Sequence, residues 1–123
     1  MRFRGVRGAV TVEANTEQAI LDATHELLRE MVRANEVGPD DIAGIFFTVT
    51  PDLNAAFPAE AARRLPRWTH VPLMCAQEIP VRGALAQCVR ILMLVNTTKT
   101  ADEVRHVYLR GAERLRPDLS PLP

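Results

Sequence analysis

The spacing of apolar residues changes along the chain between a strand period and a helix period. Residues 2–12 carry apolar side chains interrupted by two glycines, which predicts a strand with a bulge or a close backbone approach at the glycines. Between residues 20 and 34 the apolar positions recur at steps of three and four, which predicts an amphipathic helix capped by Asn15 or Thr16. The turn residues at 38–41 are expected to end this helix.

The later apolar segments are short and rich in β-branched or aromatic residues, which predicts further strands. These segments are Ile42–Val49, Val71–Cys75, Val89–Asn96 and a last extended piece at Arg105–Leu109. Pro58 suits the first turn of a short helix that runs to Leu65. Strands that alternate with helices in this way predict an α/β or α+β fold, in which helices cover one face of a mixed sheet.

Several chemically active side chains lie in or beside these apolar strands. Arg90 lies in the most apolar strand and Arg7 in the first, and a buried charge must be paired or hydrogen-bonded. Each arginine could instead face solvent from an edge strand or belong to an internal ion pair. Glu78 follows a strand end, where functional groups are common, although a surface role is the commoner one for a single glutamate. Cys75 lacks a catalytic cysteine signature, which favours an inert thiol, and a buried Tyr108 hydroxyl needs a partner.

Composition and charge narrow the classes of function. The 123 residues suffice for one domain, residues 1–123, with its own core. The 15 basic and 15 acidic side chains balance, which argues against a protein that acts on nucleic acid or an anionic membrane. No apolar run approaches the about 18 residues of a membrane span, and the three histidines have no metal-binding spacing. Cys75 and Cys88 are too few for a disulfide scaffold, so a cytoplasmic protein with reduced thiols is expected.

Six segments resemble one family, in the same order and over nearly the whole chain. They are Arg4–Ala9, Thr50–Ala59, Val71–Glu78, Cys88–Arg90, Arg105–Leu109 and Leu115–Leu119. On these segments the chain resembles the monofunctional chorismate mutases of the small trimeric α/β class. The resemblance implies a ferredoxin-like subunit in a homotrimer, with active sites in clefts between neighbouring subunits. It also implies conversion of chorismate to prephenate, a step toward phenylalanine and tyrosine.

The resemblance further implies which side chains line the cleft. One subunit would contribute Phe57, Arg63, Leu73, Met74, Cys75 and Glu78. Its neighbour would contribute Arg7, Arg90, Tyr108 and Leu115. Two positions depart from the family pattern. Glu60 stands where a lysine is usual at the cleft mouth, and Met74 replaces a smaller polar residue.

The implied roles of the cationic residues follow from chorismate, which carries two carboxylates, a hydroxyl and an ether. Arg7 and Tyr108 would hold one carboxylate, and Arg63 would lie near the other. Arg90 would contact the ether oxygen as its negative charge grows. Since the rearrangement is intramolecular and pericyclic, the resemblance implies no metal, no cofactor and no catalytic acid or base.

The remaining implied roles concern the hydroxyl and the ring. Glu78 would accept a hydrogen bond from the ring hydroxyl, with Cys75 beside it, and Phe57 and Leu115 would form apolar walls. Two other functions fit the same features. A trimeric imine or enamine deaminase would consume 2-aminoacrylate and leave chorismate unchanged, and a non-catalytic sensor would bind carboxylate metabolites without consuming them. The proline-containing tail after about residue 115 is expected to be flexible.

Overall fold

A five-stranded mixed sheet forms the centre of the protein. The computed structural model describes residues 1–115, so the prediction of a flexible tail lies outside the described residues. The strands are β1 (Arg2–Thr11), β2 (Ile42–Val49), β3 (Leu73–Gln77), β4 (Cys88–Thr97) and β5 (Val107–Leu109). Their order across the sheet is β3-β2-β4-β1-β5. β4 is antiparallel to both neighbours, whereas β3 and β5 run parallel to the strands beside them. The predicted mixed sheet is confirmed.

One long helix, α1 (Glu17–Asn35), packs against this sheet. Of the two predicted caps, Thr16 is the one used: its hydroxyl accepts a hydrogen bond from the Ala19 amide at 3.1 Å. The helix ends before the predicted turn because Glu36 adopts the left-handed conformation at its C-cap, with φ of 55°. No helix within residues 1–115 is both long and apolar enough to cross a membrane.

Residues 1–115 also contain three short 3₁₀ helices: Pro39–Asp41, Pro58–Arg64 and Arg110–Leu115. The second confirms the helical turn predicted after Pro58. β2 has the predicted bounds, and β4 extends one residue further at each end. β3 begins two residues later than predicted, because the Val71 amide donates to Trp68 in a turn and Pro72 has no N–H to donate.

The core lies between α1 and the sheet. The helix packs closely against β1 at Gly8, because a Cβ at this position would overlap Met31 and lie 3.1 Å from Leu27. The register of β1 with β4 is unbroken, from Arg2 opposite Thr97 onward, so the predicted close approach is confirmed and the alternative of a bulge is wrong. Alternate residues in the middle of the strands enter this core, such as Val89, Ile91, Met93 and Val95 of β4.

The opposite face of the sheet, called the open face here, is only partly covered. It carries exposed apolar side chains from four strands: Phe3, Phe46, Met74 and Leu92. At one end, the 3₁₀ helix Arg110–Leu115 covers it and closes a small second core. The buried members of that core are Ala9, Cys88, Tyr108 and Ala112. The strand ends beside this small core carry the charged groups described below.

Candidate active site

Arg90 lies in β4 with its side chain on the open face. Its strand neighbours Val89 and Ile91 are buried in the main core, and its backbone is opposite Ala9 on β1 and Thr48 on β2. The Nε atom is buried and has no hydrogen-bond partner among residues 1–115. Because an unpaired buried donor is costly, a ligand oxygen is expected to satisfy this atom.

Glu78 is the first residue after β3 and lies beside this arginine. Its amide donates to the Val49 carbonyl at 2.8 Å, which extends the pairing of β3 with β2 by one residue. Its carboxylate oxygen Oε2 accepts a hydrogen bond from the Thr48 hydroxyl and lies 3.6 Å from Arg90 Nε. The arginine therefore has a counter-charge close by, and its Nε still lacks a hydrogen-bond acceptor in the part of the chain that the structure describes.

Tyr108 and Arg7 lie on the same face, on the side of Arg90 toward β5. Tyr108 is opposite Ala9, so the small Ala9 side chain is placed between Tyr108 and Arg90 in the sheet. The Tyr108 ring is 1% exposed, and its hydroxyl has no partner among the described residues. The Arg7 amide donates to His106 Nδ1 at 3.0 Å, and Leu115 packs against the small core that contains Tyr108.

A cleft of about 480 Å³ opens between Arg90, Glu78 and the loops that flank them. One wall is Thr50–Asp52, and the other is the segment from Ile79 to Ala86. The Asp52 carboxylate accepts from the Gln87 amide at 3.0 Å and from the Thr50 hydroxyl at 2.5 Å. Asp52 therefore links the Thr50–Asp52 wall to Gln87, the residue that follows the other wall. The volume is suitable for a small organic acid.

A second group of expected site residues lies on the α1 side of the sheet. Phe57, Glu60 and Cys75 line a cleft of about 550 Å³, and the Phe57 ring is 69% exposed. Burial raises the pKa of the Cys75 thiol, and the neighbouring Glu60 carboxylate raises it further. A thiol with a raised pKa is a poor nucleophile at neutral pH, which supports the interpretation of Cys75 as inert. Arg63 and Leu73 line an adjoining cleft with Trp68.

Comparison with known proteins identifies the family. Residues 3–119 match the family described as chorismate mutase type I. This chain belongs to the chorismate mutase type I family. It is 47% identical over 120 residues to chorismate mutase AroH of Bacillus subtilis strain 168, covering 98% of this chain and 94% of that protein. It is 54% identical over 117 residues to chorismate mutase AroH of Thermus thermophilus, covering 94% and 95%.

The fold matches the same family. A chorismate mutase from Clostridium thermocellum superposes with a TM-score of 0.88 at 50% identity, covering 90% of this chain and 98% of that one. The resemblance seen in the sequence segments is therefore confirmed. The family match extends past residue 115, so it includes the Leu115–Leu119 segment, most of which lies outside the described residues.

The structure corrects how the chorismate mutase residues were divided between two subunits. Glu78 and Arg90 were expected from different subunits, but they are neighbours within one chain. Glu78 was also expected beside Cys75, yet the two side chains lie on opposite faces of the sheet. The reason is strand alternation: Met74, Ala76 and Glu78 share the open face, whereas Cys75 packs against the main core.

Sequence reasoning missed Thr48 and Asp52. Thr48 binds the Glu78 carboxylate, and Asp52 joins the two cleft walls. The available signal was the pair of polar residues Thr48 and Thr50 at alternate positions at the end of an otherwise apolar strand. That spacing places both hydroxyls on the face that carries Arg90.

Proposed function

We propose that this protein is a chorismate mutase that rearranges chorismate to prephenate. Membership of the family supports this function, and one structural observation carries it. The Arg90 Nε is buried without a hydrogen-bond acceptor among residues 1–115, at 3.6 Å from the Glu78 carboxylate, in a cleft large enough for a small dicarboxylate. The substrate has an oxygen that becomes negative during the reaction and a free hydroxyl. A fixed, buried cation stabilises the first, and a neighbouring carboxylate accepts a hydrogen bond from the second.

The rearrangement requires a protein that positions the substrate and stabilises the charge of its transition state. Chorismate rearranges intramolecularly when its enolpyruvyl arm lies over the ring in a chair conformation, and its ether C–O bond breaks as the new C–C bond forms. A protein accelerates such a step by holding the reactive conformer and by stabilising charge as it develops. Arg90 donates to the ether oxygen as it becomes negative, and Glu78 accepts from the ring hydroxyl.

The two substrate carboxylates are bound by separate groups. Arg7 and Tyr108, which lie close together on β1 and β5, hold one carboxylate, and the Tyr108 hydroxyl, unpaired within the described part of the chain, supplies a donor. Arg63 lies near the second carboxylate. The planar guanidinium fork suits such oxygens better than a lysine would.

The remaining site residues enclose the substrate. Phe57 and Leu115 form apolar walls, and Leu73, Met74 and Cys75 complete the lining. Phe57 is largely exposed in the single chain, which fits a side chain that becomes covered when substrate or a second subunit is present.

We infer that the active protein is a homotrimer with its sites between subunits. The open face exposes Phe46, Leu92 and Met74, a patch typical of a protein–protein interface. In addition, Cys75 and Phe57 lie across the sheet from Arg90 and Glu78, so one chain alone does not bring the two groups into one cleft. A second subunit would bring them together.

Mixed trimers test this division of residues. Arg90→Ala and Arg63→Glu chains, each inactive alone, are mixed in equal amounts under exchange conditions. Activity should return, because about one quarter of randomly formed interfaces combine an intact Arg90 group with an intact Arg63. Mixing Arg90→Ala with Glu78→Ala is the matched control and should restore nothing, since both residues come from one chain. An active monomer in light scattering would contradict the assembly.

Incubation with chorismate tests the reaction itself. The conjugated-diene absorbance of chorismate should fall, with stoichiometric appearance of prephenate. Turnover of 2-aminoacrylate without loss of chorismate would favour the deaminase, and binding without turnover would favour the sensor.

We place the reaction in the cytoplasm, in one catalytic domain of residues 1–123. The free thiols of Cys75 and Cys88 and the family match over 3–119 support this placement.

A further inference from the structure

The hydroxyl of Thr48 contacts the acidic side chain of the cleft. Thr48 lies near the end of β2 on the open face, opposite Ala76 on β3 and Arg90 on β4. Its Oγ1 donates to Glu78 Oε2. We propose that Thr48 is a positioning residue, which holds the Glu78 carboxylate in the orientation needed to accept from the substrate hydroxyl. This inference rests on the proposed function of the cleft.

The backbone by itself does not orient the Glu78 carboxylate. The Glu78 amide is anchored to the Val49 carbonyl, but a glutamate side chain retains several torsions and loses much rotamer freedom when it is held. Arg90 Nε lies 3.6 Å from Oε2, beyond hydrogen-bond distance. Within residues 1–115 the Thr48 hydroxyl therefore provides the hydrogen bond that orients this carboxylate.

Thr48 suits this role because its hydroxyl is held on a stiff side chain. A β-branched residue in a strand has few χ1 states, so the donor direction is fixed by the sheet. Both Thr48 and Arg90 approach Oε2, which leaves Oε1 without a hydrogen bond among the described residues. We assign Oε1 to the ring hydroxyl. Thr48 itself is absent from the described lining of the cleft, so it acts through Glu78.

A matched pair of variants separates the hydroxyl from the side-chain shape. Thr48→Val keeps the branched shape without the hydroxyl, and Thr48→Ser keeps the hydroxyl. Thr48→Val should lower kcat/KM for chorismate about 20-fold, within the range for hydrogen bonds to charged groups. Thr48→Ser keeps the hydroxyl on an unbranched side chain with more χ1 states, so it should lose only about two- to threefold. In a Glu78→Ala background, assayed at high enzyme concentration on its residual turnover above the uncatalysed rate, Thr48→Val should cause no further loss, because the residue that it orients is gone.

The outcomes that overturn the proposal are equally specific. Equal losses from Thr48→Val with and without Glu78 show that Thr48 acts independently of Glu78. A Thr48→Ser variant as impaired as Thr48→Val shows that the hydroxyl is not responsible. Wild-type kcat/KM in Thr48→Val also overturns it. If Thr48→Val does not fold, Thr48→Ala replaces it in the same cycle.

A crystal structure of Thr48→Val gives a readout that does not depend on turnover. The Glu78 carboxylate should leave its place beside Arg90 and occupy other rotamers, and an unchanged carboxylate overturns the inference. Failure of the proposed function is seen separately, as wild-type protein that leaves chorismate unchanged. In that case the crystal structure still decides whether Thr48 orients Glu78.

Discussion

Replacing Arg90 by citrulline removes its positive charge and keeps the shape of its planar side chain. Only 29% of the Arg90 side chain is exposed, so an effective dielectric constant of about 20 describes its surroundings. At that value a unit charge about 4 Å away contributes about 4 kcal/mol, and a partial charge on the ether oxygen contributes about half of this. A loss of about 2–4 kcal/mol lowers kcat about 30- to 1,000-fold.

The assay follows chorismate absorbance under saturating substrate, so that kcat and KM are obtained separately. The citrulline variant should still bind substrate, because its shape, its Nε–H and one of its two terminal amino groups remain, while kcat falls. Arg90→Lys is the comparison variant and should recover little, since a flexible ammonium replaces a fixed fork of donors. The thermal midpoint of each variant shows whether the fold survives.

A citrulline variant with kcat near that of the wild type would refute the electrostatic reasoning. The cleft would then act by orienting the substrate, and the charge of Arg90 would serve only to balance Glu78. A rise in KM with unchanged kcat would lead to the same conclusion, because it indicates binding that is equal in the ground state and the transition state.

Three further predictions concern pH, charge and packing. Because the rearrangement transfers no proton, kcat should be nearly constant across neutral pH with little solvent isotope effect; a bell-shaped profile with a large isotope effect would contradict this. Glu60→Lys should raise kcat/KM for dianionic chorismate severalfold at low ionic strength, because a positive charge replaces a negative one at the cleft mouth. Glu60→Gln should give an intermediate kcat/KM, and added salt should reduce the gain of both variants. No gain at low salt would exclude an electrostatic effect of Glu60. Gly8→Ala, whose methyl overlaps Met31, should lower the free energy of unfolding in denaturant by about 1–3 kcal/mol, whereas the uncrowded control Gly38→Ala should change it little; equal effects would contradict the packing argument.

The sequence was sufficient to predict the bounds of the strands whose residues are buried on at least one face. β2 and β4 are long apolar runs, so hydrophobicity alone located them to within a residue. β3 is a short edge strand with exposed residues, and its start depended on a hydrogen bond that Pro72 cannot donate. The end of α1 depended on the left-handed backbone of Glu36, a conformation that residue type rarely signals.

The sequence predicted which residues belong to the site, but it did not predict how their side chains are arranged. Arg90 was conspicuous because a charge interrupted an apolar strand, and the resemblance supplied its partners. The placement of Glu78 beside Arg90 required counting the alternation of β3 one residue past its end, onto the open face. The contact of Thr48 with Glu78 joins residues of two strands, so it follows from sheet register, which no local pattern in the sequence specifies.

The position of β1 in the sheet has a consequence for synthesis of the protein. β1 precedes the other four strands of residues 1–115, yet it lies between β4 and β5, the last two of them. Its ladder therefore closes only after β4 and β5 have been synthesised, and such non-local pairing makes folding slow. Arg7, Arg90 and Tyr108 belong to these three strands, so the candidate active site forms with the final strand and cannot precede it.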